Sequence, residues 1–168
     1  MNGAHFRIAV QSAVVAWVCI VAGKSFTGMV HADSAGIGAI WATITGIVVL
    51  QATPHETSRQ AALRLLGTLI GAAIGAGYLY VFPVNAVGAA LAVGATVLVC
   101  QFAGVPDNGR LAAITVIIVF AVSVAAPGSS PLLNGALRFG ESCIGAAAAL
   151  LTALLWPRLS SSFSGDPK

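Results

Sequence analysis

Charge is what this chain has least of. Eight Lys and Arg and five Asp and Glu are spread over 168 residues, 8% charged in all, against about 25% in an ordinary soluble domain. So few ionic groups cannot cover a water-soluble protein of this size, and the soluble classes are excluded. The basic residues are scattered between apolar runs and form no patch, which excludes a nucleic-acid partner. Cysteine is scarce and odd in number: Cys19, Cys100 and Cys143 lie inside apolar runs, with no metal-type spacing and no disulfide framework. They read as small buried hydrophobes. His5, His31 and His55 fall in separate termini or loops, beside no nucleophile or metal partner. No glycine-rich phosphate loop follows a strand, and no strand pattern exists to carry one. An enzyme, a cofactor and a metal site are therefore not expected.

What remains is apolar and rich in glycine: 58% hydrophobic residues and 19 glycines. The stretch that organises the chain is Leu63 to Pro83, LRLLGTLIGAAIGAGYLYVFP, which has no charge after Arg64. As a helix it is long enough for a bilayer core about 30 Å thick. Gly67, Gly71 and Gly75 recur every four residues, leaving one stripe almost bare, as in membrane helices that pack backbone to backbone. The stretch then returns as Leu137 to Pro157, LRFGESCIGAAAALLTALLWP. Arg138, Ile144, Gly145, Ala146, Ala147 and Pro157 each follow Arg64, Ile70, Gly71, Ala72, Ala73 and Pro83 by 74 positions. A charged start and an aromatic–proline stop at one shared spacing indicate an internal duplication.

Taken in order, Phe6 to Gly23 is a first apolar span, and Lys24 to Asp33 a short polar connection. A signal peptide cleaved after Ala32 is the weaker reading, because the gap from the apolar run is long. Gly36 to Leu50 is a second span, with its own small stripe of Gly38, Ala42 and Gly46. The hydrophilic segment Gln51 to Gln60 turns through Pro54 into a third helix starting near Glu56. Ala86 to Val105 and Leu111 to Ala126 are the fourth and fifth spans, and the sixth runs from near Leu132 to Trp156. The expected fold is all-α: a transmembrane domain over 1–158 with six helices in two inverted three-helix repeats, about 6–83 and 86–157, and a polar tail over 159–168. Three spans per copy make the second copy enter from the opposite side, as in many transporters. With both termini cytoplasmic, Arg7, Arg59, Arg64, Arg110, Arg158 and Lys168 lie inside, and only Lys24 and Arg138 outside.

Arg138 lies within its helix on the side where basic residues are disfavoured, and it reads either as half of a structural ion pair or as an anion contact in a polar cavity. Glu141, one turn on, offers an ion pair and stands where the first copy has Gly67. For Arg64 a headgroup anchor at a helix start is an adequate reading. Gln51 and Thr53 end the second span beside Pro54, where unwound backbone could meet a substrate, and Trp41, Thr43 and Thr45 are the polar-capable members of that span. Gly67, Gly71, Gly75, Gly38, Gly46 and Gly145 are expected at helix contacts, some within the bundle and at least one against a second copy.

Trp41 followed by Val48 to Thr53, and then Arg64 to Gly71 (RLLGTLIG), resembles the membrane domain of the fusaric acid resistance and aromatic acid exporter family. Arg138 to Pro157 is similar to that domain's closing helix. The resemblance covers most of residues 8–157. It implies six helices in a bacterial inner membrane, movement of small organic, chiefly aromatic, carboxylates, and self-association, with a dimer favoured. The rival reading is a non-transporting subunit packed against a partner. A deep polar cavity at Arg64 or Arg138 favours transport, and dry small-residue packing throughout favours the subunit.

Overall fold

A computed structural model describes the backbone of residues 3–126 and 128–163 and the side chains of 6–126 and 128–156. The described residues form six α-helices: α1 Gly3–Val30, α2 Ala35–Val49, α3 Pro54–Val81, α4 Ala86–Phe102, α5 Gly109–Ala125 and α6 Pro131–Phe163. One 3-10 turn (Ala32–Ser34) leads into α2 and another (Pro106–Asn108) into α5. Among the described residues five helical segments are long and apolar enough to cross a membrane, and α4 is a shorter apolar helix. At 17 residues, α4 reaches about 25 Å.

Local chemistry sets most of the boundaries. Thr53 caps α3: its Oγ1 accepts from the Glu56 backbone N–H at 3.2 Å and donates to Glu56 Oε2 at 3.1 Å. Pro54 takes the first helical position, where a missing N–H costs nothing. That cap moves the start of α3 two residues ahead of the expected Glu56. Phe82 is extended at φ −130°, ψ 142°, as the residue before a proline must be, and α3 stops there. Asn85 caps α4 by accepting from the Gly88 N–H at 2.8 Å. Gly104, at φ 72°, supplies the left-handed step that turns α4 back.

Two expected boundaries are corrected. Lys24 to Val30 is no connection but the last turns of α1. Tertiary contacts hold it helical: Thr27 donates to Glu141 Oε1, and the Phe26 ring lies 2.7 Å from where a Cβ on Gly140 would stand. Pro157 does not stop α6 as Pro83 stops α3, for the backbone stays helical to Phe163. Proline in a membrane helix is tolerated when neighbours re-satisfy the freed carbonyl. Residues 159–163 of the expected tail are therefore helical, and 164–168 lie outside the described residues.

The packing is the inverse of a soluble core. Large apolar side chains face outward, Trp17, Leu69, Leu91, Leu98, Ile117 and Leu151 among them, toward lipid. Much of the interior is small or polar: Ala42, Ala112 and Ala149 are fully buried, as are Thr45, Thr68, Thr96 and Thr115, with Val15, Val116, Val119 and Phe120 among the larger buried side chains. α3 lies between α5 and α6, α2 packs on α1 and α6, and α4 packs chiefly on α5. The glycine stripes face helices of this same chain. Gly67, Gly71 and Gly75 meet α5, Gly46 meets Val15 and Cys19 of α1, and Gly145 meets α2.

Candidate functional site

The polar cluster forms where α2, α3 and α6 cross. α3 and α6 each carry an arginine inside the helix. Arg64 stands about 15 Å from the start of α3 and Arg138 about 10 Å from the start of α6, at ~1.5 Å per residue. Both are sealed, Arg64 at 2% and Arg138 at 0% exposure, as is Glu141 at 0%. The headgroup-anchor reading of Arg64 is thereby overturned. Its helix face is buried against neighbours, so the guanidinium turns inward.

Each arginine is held differently. Arg138 Nη1 lies 2.8 Å from Glu141 Oε2 one turn along α6, and Thr27 of α1 donates to the other carboxylate oxygen at 2.6 Å. Glu141 has room because Gly38 of α2 has no side chain; a Cβ there would stand 2.7 Å from Glu141 Oε1. Arg64 has no carboxylate beside it among the described residues. Its Nε donates to Thr45 Oγ1 at 3.3 Å, and its guanidinium carbon sits 4.7 Å from the Trp41 ring centroid. A buried cation–π contact of that kind contributes about 2 kcal/mol. Nη2 of Arg64 has no hydrogen-bond partner among the described residues.

Ser142 ties the two arginine helices together. It donates to the Arg138 carbonyl at 2.9 Å and receives the Trp41 indole N–H at 3.1 Å. Thr68 Oγ1 of α3 lies 3.2 Å away and Thr45 Oγ1 3.4 Å away. The indole N–H also reaches the Arg138 carbonyl at 3.2 Å.

Of the residues expected from sequence, Trp41, Arg64, Arg138 and Glu141 come together here. Gln51 and Thr53 do not: Thr53 caps α3, and Gln51 bonds the Val48 carbonyl at 3.2 Å and Thr57, both local partners. Thr45, expected only as a polar-capable member of its span, joins the cluster, and sequence reasoning missed Thr27, Thr68 and Ser142. One signal was available, since Ser142 follows Thr68 by the same 74 positions as Arg138 follows Arg64.

The geometry also pairs residues that no single spacing linked. Gly71 and Gly145 are 74 apart. A Cβ on Gly71 would meet the Ala112 carbonyl and, at 2.7 Å, Thr115 Cβ; on Gly145 it would meet the Ala42 carbonyl and, at 2.8 Å, Thr45 Cβ. At the spacing these contacts define, Ala42, Ile44, Thr45, Ile47 and Val49 recur as Ala112, Ile114, Thr115, Ile117 and Val119.

A bundle of apolar helices with large residues outward and an ionic centre inward defines a multi-pass membrane protein. The profile of the fusaric acid resistance protein-like family matches residues 18–152, which takes in α2 to α5, the C-terminal part of α1 and most of α6. The chain belongs to that family, whose role is membrane transporter- or exporter-like. No curated protein and no solved structure matches it.

Proposed function

We propose that the protein exports small organic anions, aromatic carboxylates foremost, across a bacterial inner membrane. The observation that carries this reading is the count of charge in the sealed cluster: two arginines face one glutamate. An unpaired charge in a low-dielectric interior is costly, and its retention inside a membrane is by default a functional feature. An arginine keeps its charge and offers a planar fork that fits a carboxylate.

Arg64 replaces Arg138 as the principal anion contact, because Glu141 already answers Arg138. The arrangement is an occluded one, and transport requires the helices around Arg64 to part. That closed packing is also what a non-transporting subunit would have, and flux separates the two readings.

The inverted repeat is part of the proposal. Thr68 and Ser142, duplicate positions, touch where α3 and α6 cross, and α3 packs on α5 as α6 packs on α2. These support two like halves about that crossing, which three spans per half make inverted. With Arg64 and Arg138 withdrawn into the bundle, Arg7, Arg59, Arg110, Arg158 and Lys168 stand against Lys24 alone, which supports cytoplasmic termini. A homodimer is proposed from the family resemblance; since the inner glycine stripes are filled, its contact falls on another face.

The test is flux of benzoate into proteoliposomes holding the purified chain. Uptake that exceeds empty liposomes and saturates is the expected result. Uptake equal to empty liposomes across a panel of aromatic and aliphatic carboxylates overturns transport in favour of the subunit.

A further inference from the structure

The cluster contains more than an anion contact. It carries a fixed, sealed charge, and that charge dictates how many negative groups an occupant can bring. Arg64 contributes one positive charge with no acidic partner, while Arg138 and Glu141 cancel at 2.8 Å. Thr27, Thr45, Thr68 and Ser142 are neutral and already bonded to members of the cluster. Gly67, the duplicate position of Glu141, brings no carboxylate to the Arg64 side, and a Cβ there would already meet Leu111 at 3.1 Å. No described acid other than Glu141 is buried.

Resting on the transport reading above, we infer that the site is a single-charge site: it accepts monocarboxylates and rejects dicarboxylates of the same shape, and Glu141 is the residue that sets this limit. One carboxylate on Arg64 leaves the sealed centre neutral. A second carboxylate adds a negative charge beside Glu141 with no cation left to meet it, and like charges in a dry interior repel strongly. Glu141 acts on the ligand through charge, cancelling Arg138 across one 2.8 Å contact, so it is a specificity-determining residue. In Glu141→Gln the centre carries two positive charges, and a dianion becomes the matching ligand.

The experiment uses two probes of nearly equal size and planarity, 3-carbamoylbenzoate with one charge and isophthalate with two. Uptake of each into proteoliposomes is measured for the native chain and for Glu141→Gln. Binding is read separately in a Trp17→Phe/Trp156→Phe background, where Trp41 under the Arg64 guanidinium reports through its emission. The native chain should favour the monoanion by about tenfold, which is ~1.4 kcal/mol, and Glu141→Gln should narrow or invert that ratio by a similar factor.

Equal native rates for the two probes overturn the single-charge inference and leave the transport reading standing, as does a ratio unmoved by Glu141→Gln. Neither probe crossing nor perturbing Trp41 overturns the transport reading itself and this inference with it. Should Glu141→Gln fail to fold, Arg138→Gln/Glu141→Gln removes the cancelling pair and keeps the net charge. It should retain the native preference, and loss of the preference there overturns the inference.

Discussion

The two arginine helices hold their buried cations in different ways. On α6, Arg138 has a carboxylate one turn away, a threonine from α1 behind that carboxylate and a glycine on α2 that makes room for it. On α3 the duplicate arginine has an indole face and one hydroxyl, and the position matching Glu141 is Gly67, packed against α5. One half thus closes its charge internally and fastens three helices. The other half leaves its charge open. A single acidic side chain, Glu141 on α6, separates the two buried cations: one is paired within its helix and the other is not.

Several changes sharpen that contrast. The largest effect is expected where the halves are alike: Gly71→Leu and Gly145→Leu both drive a side chain into a neighbouring helix backbone and should abolish folded protein on detergent size exclusion. Gly77→Leu, which meets open space, should not. Next, the arginines should part company in thermal stability. Arg138→Met leaves Glu141 buried without its cation and should destabilise by about 3–5 kcal/mol. Arg64→Met removes a lone buried charge and should be neutral or stabilising, as read by thermal melting in detergent. Equal losses for both would break the comparison.

Smaller effects follow from the supporting bonds. Thr27→Val removes the hydroxyl behind Glu141 and should cost about 1–3 kcal/mol in the same assay, as loss of a partner to a buried charged group does. Thr53→Ala removes only the α3 cap. It should cost about 1 kcal/mol and leave flux unchanged, in keeping with its place outside the cluster.

The fold was largely legible because the bilayer imposes one apolar period on every span and because turns such as Pro83 to Asn85 are marked by their own residues. The ends of α1 and α6 were not. Lys24 to Val30 reads as polar in one dimension, and its contacts with α6 through Phe26 and Thr27 and with α2 through Thr27 and Gly28 are invisible in that reading. In the site, the arginines and Glu141 stand out because charge is rare here. The Arg138–Glu141 pair was legible in its three-residue spacing, whereas the burial of Arg64 against Trp41 is a tertiary fact that no spacing carries. Thr68 and Ser142 were hidden for another reason: a lone hydroxyl in an apolar helix has many uses, bonding its own backbone among them.

The most direct measurement compares benzoate flux in Arg64→Gln and in Arg138→Gln/Glu141→Gln, each reconstituted at equal protein level. The first variant neutralises the open charge, and the second removes the closed pair while keeping the net charge of the cluster. Flux at least about tenfold below native in Arg64→Gln, equivalent to ~1.4 kcal/mol, with most of it retained in the double variant, is the predicted result. Native flux in Arg64→Gln, or its loss only when the Arg138–Glu141 pair is removed, would contradict the assignment of the anion to Arg64.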